Sequence, residues 1–146
     1  DCRQGVEANR WAPCLFAQSV CRLWAELGAG RIINIGSVQS QLGRPTIVPY
    51  GASKGGLLMM TRGRCADLGP LGIQVNSIAP GYFATELTEA LVNDETFSQW
   101  VADRTPAGRW GQIEELGGAA VFLLSDAASF INGQTLFVDG GMTAVV

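Results

Sequence analysis

The chain has 146 residues, of which 47% are apolar and 16% charged, with a net charge of −3 and no histidine. That length fits one domain and the apolar share is enough for a core. The scattered arginines form no basic stripe for nucleic acid or an anionic membrane, and no apolar run approaches the ~20 residues of a membrane span. Without histidine, a Cys/His zinc site and a Ser-His-Asp hydrolase are both excluded, and no metal ligand set is expected. Cys2, Cys14, Cys21 and Cys65 show no paired short spacing and read as buried, reduced thiols, which points to the cytoplasm. The chain begins at Asp1 rather than Met, so it is expected to be part of a longer protein.

In chain order, Phe16, Val20, Leu23 and Leu27 recur at helical spacing and predict an amphipathic helix from about 12 to 27, with Pro13 in its first turn and Gly28 and Gly30 ending it. Residues 31–36 are short, β-branched and nearly all apolar, the mark of a strand covered on both faces in a parallel sheet. Residues 37–49, with Gly43, Pro45 and Pro49, read as a loop. A helix is expected from about 50 to 68, with Leu58, Thr61, Cys65 and Leu68 in one stripe that Leu57 and Met60 widen, stopped by Gly69-Pro70. Ile73 to Ala79 is a second buried-type strand, broken by Pro80-Gly81.

Residues 82–111 mix Tyr82, Phe83, Phe97, Trp100 and Trp110 with polar positions and predict two short helices, about 85–92 and 94–103. Ile113, Leu116, Ala120 and Leu123 predict a further helix to about Leu124. Asn132-Gly133 marks a turn, and Leu136-Phe137-Val138 a third strand closed by Asp139-Gly140-Gly141. Strands alternating with helices imply parallel crossovers and an α/β layer fold. Residues 80–111 are expected to form a lid within it.

Lys54 is the only lysine, against nine arginines, and it follows Tyr50 by four residues. On a helix the two share a face. An ammonium held beside a phenol favours the phenolate, which makes the pair a candidate proton donor and acceptor at neutral pH; an exposed helix pair with no chemistry is the alternative. In parallel sheets ligands bind beyond the carboxyl ends of the strands. Ser37 lies just past the first strand, Pro80-Gly81 just past the second, and Tyr50 opens the helix after the first, so the candidate chemistry gathers at one edge.

Taken together, "RIINIGS" (31–37), "YGASK" (50–54), "VNSIAPG" (75–81) with Thr85 after it, "FVDGG" (137–141) and "EANRWAPCLF" (7–16) resemble the C-terminal part of the short-chain dehydrogenase/reductase family over essentially the whole chain. The resemblance implies the C-terminal half of a Rossmann-like doubly wound sheet: three parallel strands with flanking helices, the N-terminal half absent. It implies NAD or NADP as cofactor, and catalytic roles for Asn9, Ser37, Tyr50 and Lys54. Tyr50 would exchange the proton, Ser37 would hold the same substrate oxygen, Lys54 would also bond the nicotinamide ribose, and Asn9 would fix a relay water. Tyr50, Lys54, Ile78, Pro80, Gly81 and Thr85 would meet the cofactor. Ser37 also suits a strand-ending turn, Asn9 a helix cap, and Thr85 an N-cap completed by Thr88 or Glu89. No G-x-G-x-x-G phosphate turn occurs, so roughly 100 further residues are expected to carry it.

Within the family, "SVQSQLGRPTIVPYGASKGG", "IAPGYFATELTEAL" and "RTPAGRWG" resemble the branch that interconverts gluconate and 5-dehydrogluconate. On that reading Gln39 faces the substrate, and Arg44 or Arg104 clamps its carboxylate in a forked bond; both arginines equally suit surface charges. Trp100 and Trp110 read as lid packing. Alternatives are a reductase of a 3-oxoacyl thioester or a polyol, and a truncated, non-catalytic oligomerisation fragment. The resemblance also implies a homodimer or homotetramer through the helices at 12–27 and 50–68.

Overall fold

The computed structural model describes residues 12–146. Helix α1 spans Ala12–Leu27 and strand β1 Gly30–Ile35. After a 3₁₀ turn at Val38–Ser40 comes helix α2, Val48–Leu68, and then strand β2, Ile73–Pro80. Strand β3 is Phe83–Ala84, helix α3 Glu89–Val92, helix α4 Glu95–Arg104 and strand β4 Gly111–Gln112. Helix α5, Glu115–Leu124, leads to strand β5, Thr135–Val138.

The main sheet has the order β1-β2-β5, parallel throughout. Ile33 pairs with Asn76, Asn34 with Ser77 and Ile35 with Ile78. Alternate residues point to opposite faces; the central strand β2 is buried on both, its polar Asn76 and Ser77 included, whereas Ile35 at the end of β1 is exposed. On one face Ile78 packs with Leu123 and Ala128 against Ile33 and Val138, under α5. On the other, the Asn34 amide donates to Thr61 Oγ1 (2.9 Å), and Thr61 Oγ1 donates to the Leu57 carbonyl (2.9 Å), which locks α2 to β1.

The three expected strands are present with end shifts of one residue or so. Pro80 does not break β2 but closes it, paired with Val138. A second sheet of two residues per strand, β3 and β4 in parallel, was not expected. Two-residue strands are too short to show a period. Residues 37–49 are not loop throughout: Ser37 caps the 3₁₀ turn, and α2 starts at Val48 with Pro49 in its first turn. The fifth helix begins at Glu115 rather than 113, because residues 111–112 are held in the β4 ladder.

The buried residues of α2 are Ser53, Leu57 and Thr61; of the expected stripe Leu57 and Thr61 are buried, and Leu58, Met60, Cys65 and Leu68 are half-buried. The expected stripe of α1 turns outward in part. Ala17 is buried, Val20 and Trp24 are half-buried, and Phe16 is 74% exposed, with Leu23 and Leu27 also exposed. The Trp24 ring lies over Gly30 so closely that a Cβ there would meet its Cε3 at 2.5 Å, and α1 presents Ala17, Val20 and Trp24 inward. The Gly28 backbone, at φ 67°, makes the left-handed stop.

Candidate active site at the carboxyl ends of the strands

Helix α2 starts at Val48 with Pro49 and Tyr50 in its first turn and Lys54 one turn further on the same face. The Lys54 Nζ stands 5.7 Å from the Tyr50 ring centroid and donates to the Ile35 carbonyl oxygen at 2.7 Å. Partial burial pushes the Lys54 ammonium below its ordinary pKa. The Tyr50 side chain is 40% exposed and open to a ligand.

Ser37 follows β1 and is 8% exposed. Its Oγ accepts from the Gln39 N–H (3.2 Å), so the serine does end the strand in a turn, and its own O–H is still free to donate. The Ser40 hydroxyl closes the same turn by donating to the Ser37 carbonyl (2.6 Å). The start of α2 lies against this turn: a Cβ on Gly51 would stand 3.4 Å from the Gln39 carbonyl oxygen. Ser37, Tyr50 and Lys54 are thereby gathered by one strand end, one turn and one helix start.

Gln39 and Arg44 are brought together at a residue that sequence reasoning did not nominate, Tyr82. The Gln39 Nε2 and the Arg44 Nη1 both approach its hydroxyl oxygen, at 3.5 and 3.4 Å. The Arg44 guanidinium lies over the Phe97 ring, 5.4 Å from its centroid. Tyr82 meets Phe97, Trp100 and Trp110 edge-on, each at 5.7 Å between centroids. Its one local signal is the position directly after Pro80-Gly81.

The remaining expected residues separate. Gly81 sits where a Cβ would strike the Asp139 Cα at 2.8 Å, so the β2 and β5 ends approach closely there. Pro80 precedes it in the ladder. Ile78 is 2% exposed within the core, so its side chain offers no surface to a ligand. Thr85 forms a reciprocal cap with Thr88, whose Oγ1 accepts from the Thr85 N–H (2.9 Å). Arg104 is not part of the group: its guanidinium reaches the Val145 carbonyl oxygen at 3.4 Å. Asn9 lies outside the described residues. Among the described residues, no group of three or more His, Cys, Asp or Glu side chains converges to hold a metal ion, and no helix is long and apolar enough to cross a membrane.

A parallel α/β sheet with a hydroxyl, a phenol and an ammonium at its carboxyl edge defines a Rossmann-like class of protein. The chain belongs to the short-chain dehydrogenase/reductase family, and the family model described as Enoyl-(Acyl carrier protein) reductase matches residues 1–143. It is 57% identical over 141 residues to the 5-keto-D-gluconate 5-reductase of Escherichia coli K12, covering 97% of this chain and 56% of that protein. It is 60% identical over 138 residues to the gluconate 5-dehydrogenase of Gluconobacter oxydans, covering 94% and 54%. Among solved structures, the gluconate 5-dehydrogenase of Burkholderia cenocepacia in complex with NADP and tartrate superposes with a TM-score of 0.87 at 62% identity, covering 89% of this chain and 51% of that one. The chain thus spans about half the length of the curated relatives it matches.

Proposed function

We propose that the protein acts as an NAD- or NADP-dependent oxidoreductase that interconverts a secondary alcohol and a ketone on a sugar acid, with gluconate and 5-dehydrogluconate as the pair. The observation that carries this reading is the Lys54 ammonium, tied to Ile35 and set 5.7 Å from the ring of Tyr50. The identity to 5-keto-D-gluconate 5-reductase and gluconate 5-dehydrogenase supports the substrate.

The donor set fits the nicotinamide end of such a cofactor. Lys54 carries three N–H donors and commits one to Ile35, which leaves two for ribose hydroxyls. The nicotinamide, when bound, supplies the hydride chemistry. The protein's own part is proton handling and orientation. Tyr50 takes the proton from the C5 hydroxyl of gluconate, or returns it to the carbonyl oxygen. Lys54 stabilises the negative charge on the phenol oxygen once its proton has gone. The Ser37 O–H holds the substrate oxygen beside Tyr50. Asn9 would position a relay water for Lys54. Gly81 and Pro80 would shape the turn that receives the nicotinamide, Thr85 would offer it a hydroxyl, and residues 80–111 would act as the lid.

Gln39 and Arg44 meet the substrate's hydroxyls and carboxylate. The protein is assigned to the cytoplasm, as a homodimer or homotetramer through α1 and α2; the exposed Phe16, Leu23 and Leu27 support that face. Nicotinamide absorbance tests the function. The intact protein is expected to turn over 5-dehydrogluconate, and turnover of a 3-oxoacyl thioester in its place would overturn the reading.

A further inference from the structure

We propose that Tyr82 is a specificity-determining positioning residue, whose hydroxyl holds the Gln39 amide and the Arg44 guanidinium side by side as the part of the site that reads a hydroxyl-bearing acid. The inference rests on the sugar-acid reading above and names the device that selects it.

Tyr82 is held by groups other than Gln39, and Arg44 touches that frame only through Phe97. The Gly81 N–H donates to the Val138 carbonyl (2.9 Å) and the Gly111 N–H to the Tyr82 carbonyl (2.8 Å), so the backbone is pinned on both sides. Three aromatic edges fix the ring. Gln39 and Arg44 come from the segment after β1, about forty residues earlier, and have only this oxygen in common. The phenol is therefore the fixed point and the two donors are the groups it places.

What remains unmatched on those donors identifies the ligand. The Gln39 Oε1 is buried without a hydrogen-bond partner. A buried polar atom in that state is met by an ordered water or by a ligand group that displaces it. Turning the amide over lets Oε1 accept from the Tyr82 O–H but strands the NH₂ group instead. A hydroxyl both donates and accepts, so it satisfies either orientation, whereas a thioester carbonyl satisfies only one. Arg44 has no carboxylate partner among the described residues, and its fork suits a ligand carboxylate. A hydroxyl and a carboxylate on one molecule describe a polyhydroxy acid.

The test is Tyr82→Phe in the intact enzyme, which keeps the ring and its packing and removes only the oxygen. The KM for gluconate is expected to rise about tenfold, the scale of one hydrogen-bonded tether, while kcat and the KM for the nicotinamide cofactor stay within about twofold. Gln39→Ala added to Tyr82→Phe is expected to cost less than the two single changes combined. Turnover of gluconate with an unchanged KM in Tyr82→Phe, a loss shared by kcat and the cofactor KM, or full additivity with Gln39→Ala overturns the proposal and leaves the substrate reading standing. A wild-type enzyme that turns over no sugar acid removes both.

Discussion

The Nζ of Lys54 donates to the carbonyl oxygen of Ile35 over 2.7 Å, which anchors the ammonium to the end of β1 as well as to its own helix. The two are nineteen positions apart, and the segment between them carries Ser37, Gln39, Arg44 and Tyr50. One hydrogen bond thus spans the loop that bears most of the proposed site. A compact ammonium fits between a strand carbonyl and a phenol ring; a planar guanidinium is wider and its donors point apart.

On that basis Tyr50→Phe and Lys54→Arg are each expected to lower turnover by at least ~10²-fold in the intact enzyme, the usual scale for acid–base groups. Lys54→Arg retains the charge, so near-normal activity in that variant would falsify the proposed role of the lysine. Steady-state rates with 5-dehydrogluconate make the measurement.

Burial sets Lys54 below its ordinary value of 10.5, so between that lowered value and 10.5 the unfolded chain binds more protons than the folded one. Stability is therefore expected to rise with pH across that window through this group. Lys54→Met removes the contribution and flattens the alkaline part of the curve. Denaturant unfolding of both proteins from neutral pH to about 10 checks the sign.

Thr61→Val is expected to destabilise the fold by about 1–3 kcal/mol although it keeps shape and volume. Thr61 is fully buried, and its hydroxyl is the acceptor for the buried Asn34 amide. Valine leaves that amide without its partner. Chemical denaturation reads the loss, and a stability equal to wild type would show that the amide finds another acceptor.

Thr46 is the only non-glycine residue among those described with a left-handed backbone, φ 71°, and it lies between Arg44 and Tyr50. A β-branched residue is strained there, whereas asparagine tolerates the conformation. Thr46→Asn is expected to raise stability by about 1 kcal/mol. The thermal midpoint gives the result, and a fall would mean that the threonine methyl or hydroxyl contributes more than the strain costs.

Much of this molecule can be read from residue type and spacing alone. Strands β1, β2 and β5 are legible because each is a short run rich in apolar and β-branched residues bounded by glycine or proline. Ser37, Tyr50 and Lys54 stand out because a strand end and a four-residue helical interval place them locally. Only the tertiary structure decided the rest. Helix α1 turns Ala17 and Trp24 inward, with Trp24 over Gly30, and leaves Phe16, Leu23 and Leu27 exposed; a helical period shows a stripe without showing what covers it. Arg44 and Arg104 look alike in the sequence, yet one reaches the Tyr82 hydroxyl and the other the Val145 carbonyl. Tyr82 carries only one local signal, its position after Pro80-Gly81. Its place among Gln39, Arg44 and three aromatic rings follows from the meeting of β2, the turn after β1 and α4. Local spacing constrains neighbours along a chain, whereas contacts between segments forty residues apart are set by how the layers pack.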